Sequence, residues 1–265
     1  MRSSGFTLVE LLVVISVAAL LAALLFPVFA SVRGQARATV CGTRIRNLTT
    51  ALLTYEAQRG SFPHGFGGPR KDPPPSGYLG NPVVDRMGWW WFNLAEIVES
   101  RSWRDLEILR CPSRRQENPM LEPDILCGNY GANWSLCKST SYPGPYGEEF
   151  VGSPLSSTDV PEPGATLLLV DSGYSLISWW HAAEEPPGQF GSSIQDSAYI
   201  PGLEINADRK LWPGQTRDAI GGRHPNKTVN VGFVDGHVAR KKASELLVEK
   251  TGEDDYDYSP LWGPK

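Results

Sequence analysis

Four residues in the C-terminal half carry side chains that could hold a metal ion. Asp171 ends one hydrophobic run, His224 precedes another, and Asp235 and His237 follow that second run. If strands bring these residues together, imidazole and carboxylate groups would meet at strand ends, and such groups bind divalent metals. A structural interpretation is also available, in which Asp235 is a turn residue and His224 hydrogen-bonds a neighbouring loop. The residues alone leave both interpretations open.

The sequence contains no motif for nucleophilic catalysis, phosphate binding or zinc proteolysis. A Gly-x-Ser-x-Gly elbow, a phosphate-binding loop and a His-Glu-x-x-His pair are all missing from the 265 residues. The 25 Lys and Arg residues are nearly balanced by 29 Asp and Glu residues, so there is no basic footprint for nucleic acid. We therefore expect neither an enzyme nor a nucleic-acid-binding protein, and no cofactor unless a metal binds.

An N-terminal apolar helix is the first element that the sequence predicts. Leu11 to Val32 contains no charged residue, and as a helix it would span about 33 Å, enough for a bilayer core of about 30 Å. The apolar region of a cleaved secretory signal is shorter, about 7–15 residues. Glu10 precedes the run, and a carboxylate at membrane depth costs about 2–3 kcal/mol unless it reaches the headgroups or a cationic partner.

The helix is predicted to continue beyond the membrane as an amphipathic segment over residues 31–60. Seven residues recur at alternating spacings of four and three, which makes one stripe on a helix that should pack on a globular domain. Gly60 predicts the end of the helix, and Pro63 follows it. The stripe comprises Gly34, Ala38, Cys41, Ile45, Leu48, Leu52 and Tyr55.

Residues 61–250 are predicted to form a globular domain with a small antiparallel sheet and long loops. Residues 165–171 have the length and composition of a buried strand, and residues 228–234 alternate in hydrophobicity. Asp235-Gly236 predicts a two-residue turn, so residues 228–240 should form a hairpin. The acidic residues at 253–257 predict a solvated, mobile tail over residues 251–265. The expected fold class is therefore α+β, with the long helix packed on the sheet domain.

The apolar helix follows a specific motif, Gly5-Phe6-Thr7-Leu8-Val9-Glu10-Leu11. This motif resembles the processing site of type IV prepilins and type II secretion pseudopilins. The resemblance implies that residues 1–5 are a leader peptide, cut off between Gly5 and Phe6, and that Phe6 becomes N-methylphenylalanine. Residues 6–30 would then be a membrane-spanning helix and a filament core. Glu10 would pair with the N-terminal amine of a neighbouring subunit, and Pro27 lies where many pilins carry a helix-kinking proline.

Features farther along extend the resemblance to nearly the whole chain. Cys41, the segment Arg110-Cys111-Pro112-Ser113, and His224 ahead of Asp235-Gly236-His237 resemble large-domain pilin-like proteins with a C-terminal His-x9-Asp-Gly motif. Here ten residues, not nine, separate His224 from Asp235. Some pseudopilins hold calcium in a C-terminal loop, so calcium is the metal that we expect if the four metal-binding candidates converge.

The resemblance implies a structural pseudopilin or minor pilin, held in the inner membrane by one helix with its C-terminal domain outside the cytoplasm. Its partners would be the prepilin peptidase and methyltransferase, copies of itself or other pilin-like subunits in a periplasmic or surface filament, an inner-membrane assembly platform, and lipid. The positive-inside rule disagrees, because Arg2 alone precedes the span whereas four arginines follow it between residues 33 and 46. We give the more specific processing motif greater weight. The alternative function is a membrane-anchored extracytoplasmic binding module that never polymerises.

Cys41, Cys111, Cys127 and Cys137 form an even set in a domain expected outside the cytoplasm, where disulfides are permitted. We expect a short local bridge between Cys127 and Cys137. A second bridge between Cys41 and Cys111 would tie the helix to the domain, which is worth about 4 kcal/mol in the chain-entropy treatment. A zinc site of four thiolates is the rival interpretation, although the sequence has no Cys-x2–4-Cys pair.

Overall fold

The computed structural model describes residues 7–67, 90, 94, 107–115, 117, 128–140, 147–187, 198–253 and 255–264. Within these residues, one long helix, α1 (Leu8–Arg59), precedes a five-stranded sheet. The predicted α+β class is confirmed. Four residues named above lie outside the described part of the chain, namely Arg2, Gly5, Phe6 and Cys127.

α1 is a single helix of 52 residues, which corresponds to a rise of about 78 Å. Its predicted end is confirmed, since Gly60 caps the helix with a φ of +85°, in the left-handed region that favours glycine. Pro27 lies inside α1, and the helix continues through it. The proline therefore does not divide the element into two helices.

The two halves of α1 have opposite surroundings. The large apolar side chains from Leu8 to Val32 are exposed, and this half is long and apolar enough to cross a membrane. The second half turns its stripe toward the domain, which confirms the amphipathic prediction. The stripe residues that are at most 1% exposed are Ala38, Cys41, Ile45, Leu48 and Leu52.

The sheet has the strand order β3-β1-β2-β4-β5 and is mixed. Its strands are β1 (Tyr130–Asn133), β2 (Leu167–Asp171), β3 (Leu176–Ile177), β4 (Thr228–Phe233) and β5 (Val238–Lys242). The pairs β1–β2, β2–β4 and β4–β5 are antiparallel, as expected. β3 departs from the prediction because the chain turns after β2 and returns on the far side of β1, which makes β3 parallel to β1.

Short helical turns lie before, between and after these strands in the described residues. Two are α-helical, α2 (Gly147–Phe150) and α3 (Thr216–Ala219). The 3-10 turns are Glu107–Leu109, Ser157–Asp159, Trp179–Ala182, Glu204–Asp208, Pro225–Lys227 and Ala243–Leu246.

α1 packs across β2, β4 and β5. It approaches β4 most tightly at Gly232, where an added Cβ would overlap Thr49 and Ile45. Because side chains alternate along a strand, Asn230 and Gly232 share the face toward α1, and the odd-numbered residues of β4 face the opposite side of the sheet. The opposite face is also covered, since those odd residues, Val229, Val231 and Phe233, are all buried.

The predicted hairpin over residues 228–240 is confirmed, but its turn is one residue longer than expected. The Phe233 N–H donates to the His237 carbonyl at 3.0 Å, and the Gly236 N–H donates to the Phe233 carbonyl at 2.9 Å. Three residues therefore form the loop, with Gly236 at a φ of +93°. A residue in this left-handed conformation is what a three-residue hairpin loop requires.

The expectation of a solvated tail over residues 251–265 is wrong for the described residues. Trp262 is 0% exposed, and its indole N–H donates to the Leu246 carbonyl at 3.1 Å. The ring of Tyr256 is also buried. The described acidic residues of this segment face solvent, whereas two aromatic side chains, Trp262 and Tyr256, pack in the core. The exposed acidic residues are Glu253, Asp255 and Asp257.

Replacing Trp262 with alanine tests this packing. We expect Trp262→Ala to lower the free energy of unfolding of the full chain in detergent by about 3–5 kcal/mol, because the indole would leave a cavity in the core. Chemical denaturation followed by circular dichroism measures the change. The control Glu253→Ala, at an exposed position of the same segment, should stay within about 0.5 kcal/mol of the parent. Equal effects of the two substitutions would contradict a packed tail.

Candidate functional site

The exposed half of α1 is the first candidate site. Its large apolar side chains from Leu8 to Val32 are between 51% and 78% exposed. A continuous apolar surface of this size is rarely left open to water. This half of the helix therefore requires lipid or other apolar helices around it.

Glu10 finds partners at the start of its own helix. Its Oε2 accepts hydrogen bonds from the backbone N–H of Thr7 at 2.8 Å and from the Thr7 hydroxyl at 2.7 Å. The Thr7 Oγ1 in turn accepts from the Glu10 backbone N–H at 3.2 Å, which completes a capping box. These bonds offset part of the free energy that a carboxylate costs in an apolar environment.

The second candidate site lies between α1 and the sheet and is centred on Asp171, a fully buried carboxylate at the end of β2. Its Oδ2 accepts from the backbone N–H of Asn230 at 2.7 Å and from the Asn230 side-chain amide at 3.1 Å. The same oxygen lies 3.0 Å from His224 Nε2. Burial by itself raises the pKa of Asp171, but interactions with His224, Arg223 and the Asn230 N–H outweigh it and hold the pKa below its usual value.

Arg223 supplies a buried positive charge beside Asp171. Its Nε and Nη2 donate to the two carboxylate oxygens of Asp218 at 3.2 and 2.6 Å, and its Nη1 lies 3.7 Å from Asp171 Oδ1. Its Nη1 and Nη2 also donate to the carbonyls of Asn129 and Ser172, at 2.6 and 3.0 Å. A buried charge needs hydrogen-bond or ionic partners, and here all three guanidinium nitrogens of Arg223 donate hydrogen bonds.

A disulfide between Cys41 and Cys111 adjoins this cluster and confirms the bridge expected between the helix and the domain. The two Cα atoms are 5.6 Å apart, and the bridge joins residues 70 positions apart in sequence. Cys41 Sγ lies 3.2 Å from the Tyr130 hydroxyl and 3.7 Å from Asp171 Oδ1. As a result, one potential ligand atom from each of Cys41, Cys111, Asp171 and His224 lies within 4.8 Å of the others.

Cys137 is a free thiol with 0% exposure, and Cys127, its expected partner, lies outside the described residues. Burial raises the pKa of this thiol to about 12. Its backbone is held in the turn after β1, where its N–H donates to the Asn133 carbonyl at 2.8 Å and its carbonyl accepts from the Gly65 N–H at 2.9 Å. Packing in the core thus takes this sulfur away from solvent.

Asp235 and His237 form a separate pair at the other end of β4. The His237 N–H donates to Asp235 Oδ1 at 3.0 Å, and His237 Nδ1 lies 2.6 Å from the same oxygen. Asn230, which contacts Asp171, is five residues before Asp235, a separation of about 16 Å along an extended strand. The four metal-binding candidates therefore do not converge, which excludes the metal interpretation of that full set. Asp235 instead takes the turn position of its structural interpretation.

Three polar residues of the buried cluster escape prediction from the sequence, namely Arg223, Asp218 and Asn230. One signal was available, since Arg223 directly precedes His224 and a buried aspartate needs a cation or several donors. The spacing alone does not show which cation serves Asp171. That choice depends on how the loop before β4 folds back against the end of β2.

Comparison with known proteins supports the N-terminal resemblance. Residues 1–26 match the family model for the prokaryotic N-terminal methylation motif. No curated protein and no solved structure matches the chain. The motif, the long N-terminal helix and the small sheet domain fit a type IV pilin-like protein. The motif implies processing by a prepilin peptidase and assembly with other pilin-like subunits, and the apolar helix indicates membrane anchoring.

Asp171→Asn removes the central charge of the buried cluster and nearly keeps its shape. We expect it to lower the free energy of unfolding of the full chain at pH 7 by about 3–5 kcal/mol, because Arg223 loses a buried counter-charge. The pKa of Asp171 is lower in the folded chain than in the unfolded chain. Its contribution is therefore fully present above the unfolded value of about 3.9 and is lost as the pH falls through the folded value.

Denaturation of the parent and of Asp171→Asn at neutral and acidic pH, followed by tryptophan fluorescence, measures this pH dependence. The difference in unfolding free energy should shrink below about pH 4. Asp257→Asn, at an exposed position, is the matched control and should stay within about 0.5 kcal/mol of the parent. A pH-independent difference for Asp171→Asn would contradict a charged role for this carboxylate.

Proposed function

We propose that this chain is a structural pilin-like subunit, a pseudopilin or minor pilin, that assembles through α1 into a type II secretion or type IV pilus-like filament after processing by a prepilin peptidase. One observation carries the proposal. A methylation motif at residues 1–26 leads into a single helix whose first half exposes its apolar side chains and whose second half packs one buried stripe on the domain.

Assembly would exchange one apolar environment for another. Lipid would cover the exposed half of α1 while the chain is stored in the membrane, and the same half of neighbouring subunits would cover it in a filament. Leu8 to Val32 provides about 37 Å of helix for this packing. Lipid tails and apolar side chains are similarly apolar environments. Close packing and polar pairs between helices therefore determine which helices associate.

Glu10 would supply one member of such a polar pair in this exchange. It is the one charged residue from Thr7 to Val32, and the cut between Gly5 and Phe6 would create a new amine on Phe6. In a single chain the capping box with Thr7 satisfies the carboxylate through neutral donors. The amine of a neighbouring subunit adds a positive charge, whose attraction is strong where water is excluded.

The buried cluster supports a structural rather than a catalytic role and a domain outside the cytoplasm. Asp171, Arg223 and His224 are each at most 3% exposed, so a substrate would not reach them without opening the domain. The Cys41–Cys111 disulfide favours an oxidising compartment, in which such bridges persist. We infer an inner-membrane subunit that docks on an assembly platform and then enters a periplasmic or surface filament.

Mass spectrometry of the chain purified from cells with an active prepilin peptidase tests the processing step. We expect an N-terminus at Phe6 that carries one added methyl group, because residues 1–5 precede the cut. Gly5→Leu should leave Met1 in place, since a large side chain would block the cut, whereas Ser3→Ala should be processed like the parent. A parent chain that keeps residues 1–5 would contradict the proposal.

Glu10→Ala tests assembly separately from membrane insertion. We expect the variant to enter the membrane normally but to fall at least roughly tenfold in a sheared filament fraction, because losing one partner of a buried charge pair costs about 2–5 kcal/mol. Immunoblotting of membrane and sheared fractions measures both steps. Thr39→Ala, at an exposed position farther along α1, is the matched control and should assemble normally.

Normal incorporation of Glu10→Ala would rule out the pairing role of this carboxylate. A parent chain that is processed yet never leaves the membrane fraction would count against filament assembly altogether. That second outcome would favour a membrane-anchored binding module.

A further inference from the structure

We propose that the dithiol form of this chain binds a zinc ion through Cys41, Cys111, Asp171 and His224, and that the Cys41–Cys111 disulfide is the metal-free form of the same site. The observation behind the proposal is the convergence of these four side chains between α1 and the sheet.

The four residues have the spacing of a metal site although they come from distant parts of the sequence. One potential ligand atom from each lies within 4.8 Å of the others. Ligands placed tetrahedrally around zinc, at bond lengths of about 2.0–2.3 Å, are about 3.3–3.8 Å apart. Shifts of about 1 Å would therefore bring the group to zinc geometry.

The ligand types select zinc over calcium. Two thiolates and an imidazole are ligands that zinc prefers, whereas calcium takes oxygen ligands in sets of about six to eight. The proposed site therefore differs in its metal from the calcium expected on family grounds. It also differs in its residues, since it keeps Asp171 and His224 and replaces Asp235 and His237 by two cysteines.

His224 carries an independent sign of an incomplete site. The residue is 3% exposed, and its Nδ1 is buried without a hydrogen-bond partner among the described residues. Its ring points into the cluster, with Nε2 3.0 Å from Asp171 Oδ2. Buried polar atoms are rarely left unsatisfied, and either imidazole nitrogen can bind zinc.

The surrounding groups could orient the ligands and balance their charge. Asn230 donates twice to Asp171 Oδ2, and the Tyr130 hydroxyl lies 3.2 Å from Cys41 Sγ, where it could donate to a thiolate. Arg223 faces the site with a positive charge, but both oxygens of Asp218 accept from it. Two thiolates and the Asp171 carboxylate contribute three negative charges, so a divalent cation lowers the net charge of the cluster.

The two forms interconvert by thiol–disulfide exchange, which requires a local opening of the domain because both sulfurs are buried. A dithiol reductant passes two electrons and two protons to the Cys41–Cys111 bond, which gives two thiols and leaves the reductant as a disulfide. Zinc then binds the two sulfurs as thiolates, and the two thiol protons pass to solvent. Exchange with an oxidised dithiol reverses these steps, because the new sulfur–sulfur bond removes both anionic ligands and releases the metal.

Cobalt titration of the full chain in detergent micelles tests the proposal. The chain is reduced with dithiothreitol, freed of reductant and metal under nitrogen, and titrated with Co²⁺. We expect one equivalent to produce a thiolate-to-cobalt charge-transfer band and the visible bands of tetrahedral Co²⁺, both removed by added Zn²⁺. The oxidised chain should show neither signal.

Ligand variants identify the site. We expect His224→Gln and Asp171→Asn each to weaken cobalt binding by at least roughly tenfold, a loss that even outer-shell partners of a metal can cause. Cys111→Ser should lower the intensity of the charge-transfer band because one thiolate is lost. The matched control is Cys137→Ser, which removes a buried thiol outside the group and should leave the affinity unchanged. Circular dichroism checks the folding of each variant.

Three outcomes would overturn the proposal. The first is a folded, reduced parent chain that takes up no cobalt. The second is uptake that His224→Gln and Asp171→Asn leave unchanged, which would assign the metal to sulfur ligands alone. The third is a reduced parent chain that unfolds and that zinc does not refold. The comparison of reduced and oxidised parent chains needs no substitution, so a variant that fails to fold does not remove the test.

Discussion

Asp171 is a buried carboxylate that needs hydrogen-bond donors and a cation around it, and this need constrains how the helix, the sheet and the loops fit together. Asp171 is fully buried, and an unpaired charge at such a position would be strongly destabilising. Its partners come from different parts of the chain, with Asn230 on β4 and Arg223 and His224 in the loop before it. A slip of one residue between β2 and β4 would turn Asn230 to the other face, so the carboxylate also specifies the register.

The same region fixes α1 to the domain. Cys41 on the buried face of the helix is bonded to Cys111, and Gly232 lets the helix approach β4 closely at Thr49. Farther toward the N-terminus, the Arg240 guanidinium donates to the Gln35 side chain at 2.9 Å. From Val32 back to Leu8 the helix is exposed. Because the domain packs against only one half of the continuous helix, the other half is available to contact lipid or neighbouring subunits.

The chemical cluster and the assembly surface are joined by one helix but lie far apart. Cys41 follows Glu10 by 31 residues, about 46 Å along α1. A change of oxidation or metal state at Cys41 would therefore act on how the domain holds the helix, and not on the contacts of Glu10. Assembly through the apolar half and chemistry at the buried cluster can be tested independently for this reason.

Local patterns in the sequence determined the long helix and the hairpin of this protein. The charge-free run after Glu10, the stripe through Cys41 and Leu52, the end at Gly60 and the hairpin at residues 228–240 each depend on neighbours in sequence, and so could be predicted. Tertiary structure decided which side chains meet. It enclosed Cys137, buried Trp262 and separated Asp235 from His224. These outcomes depend on contacts between residues far apart in sequence, which only the packing of α1, the strands and the loops together determines.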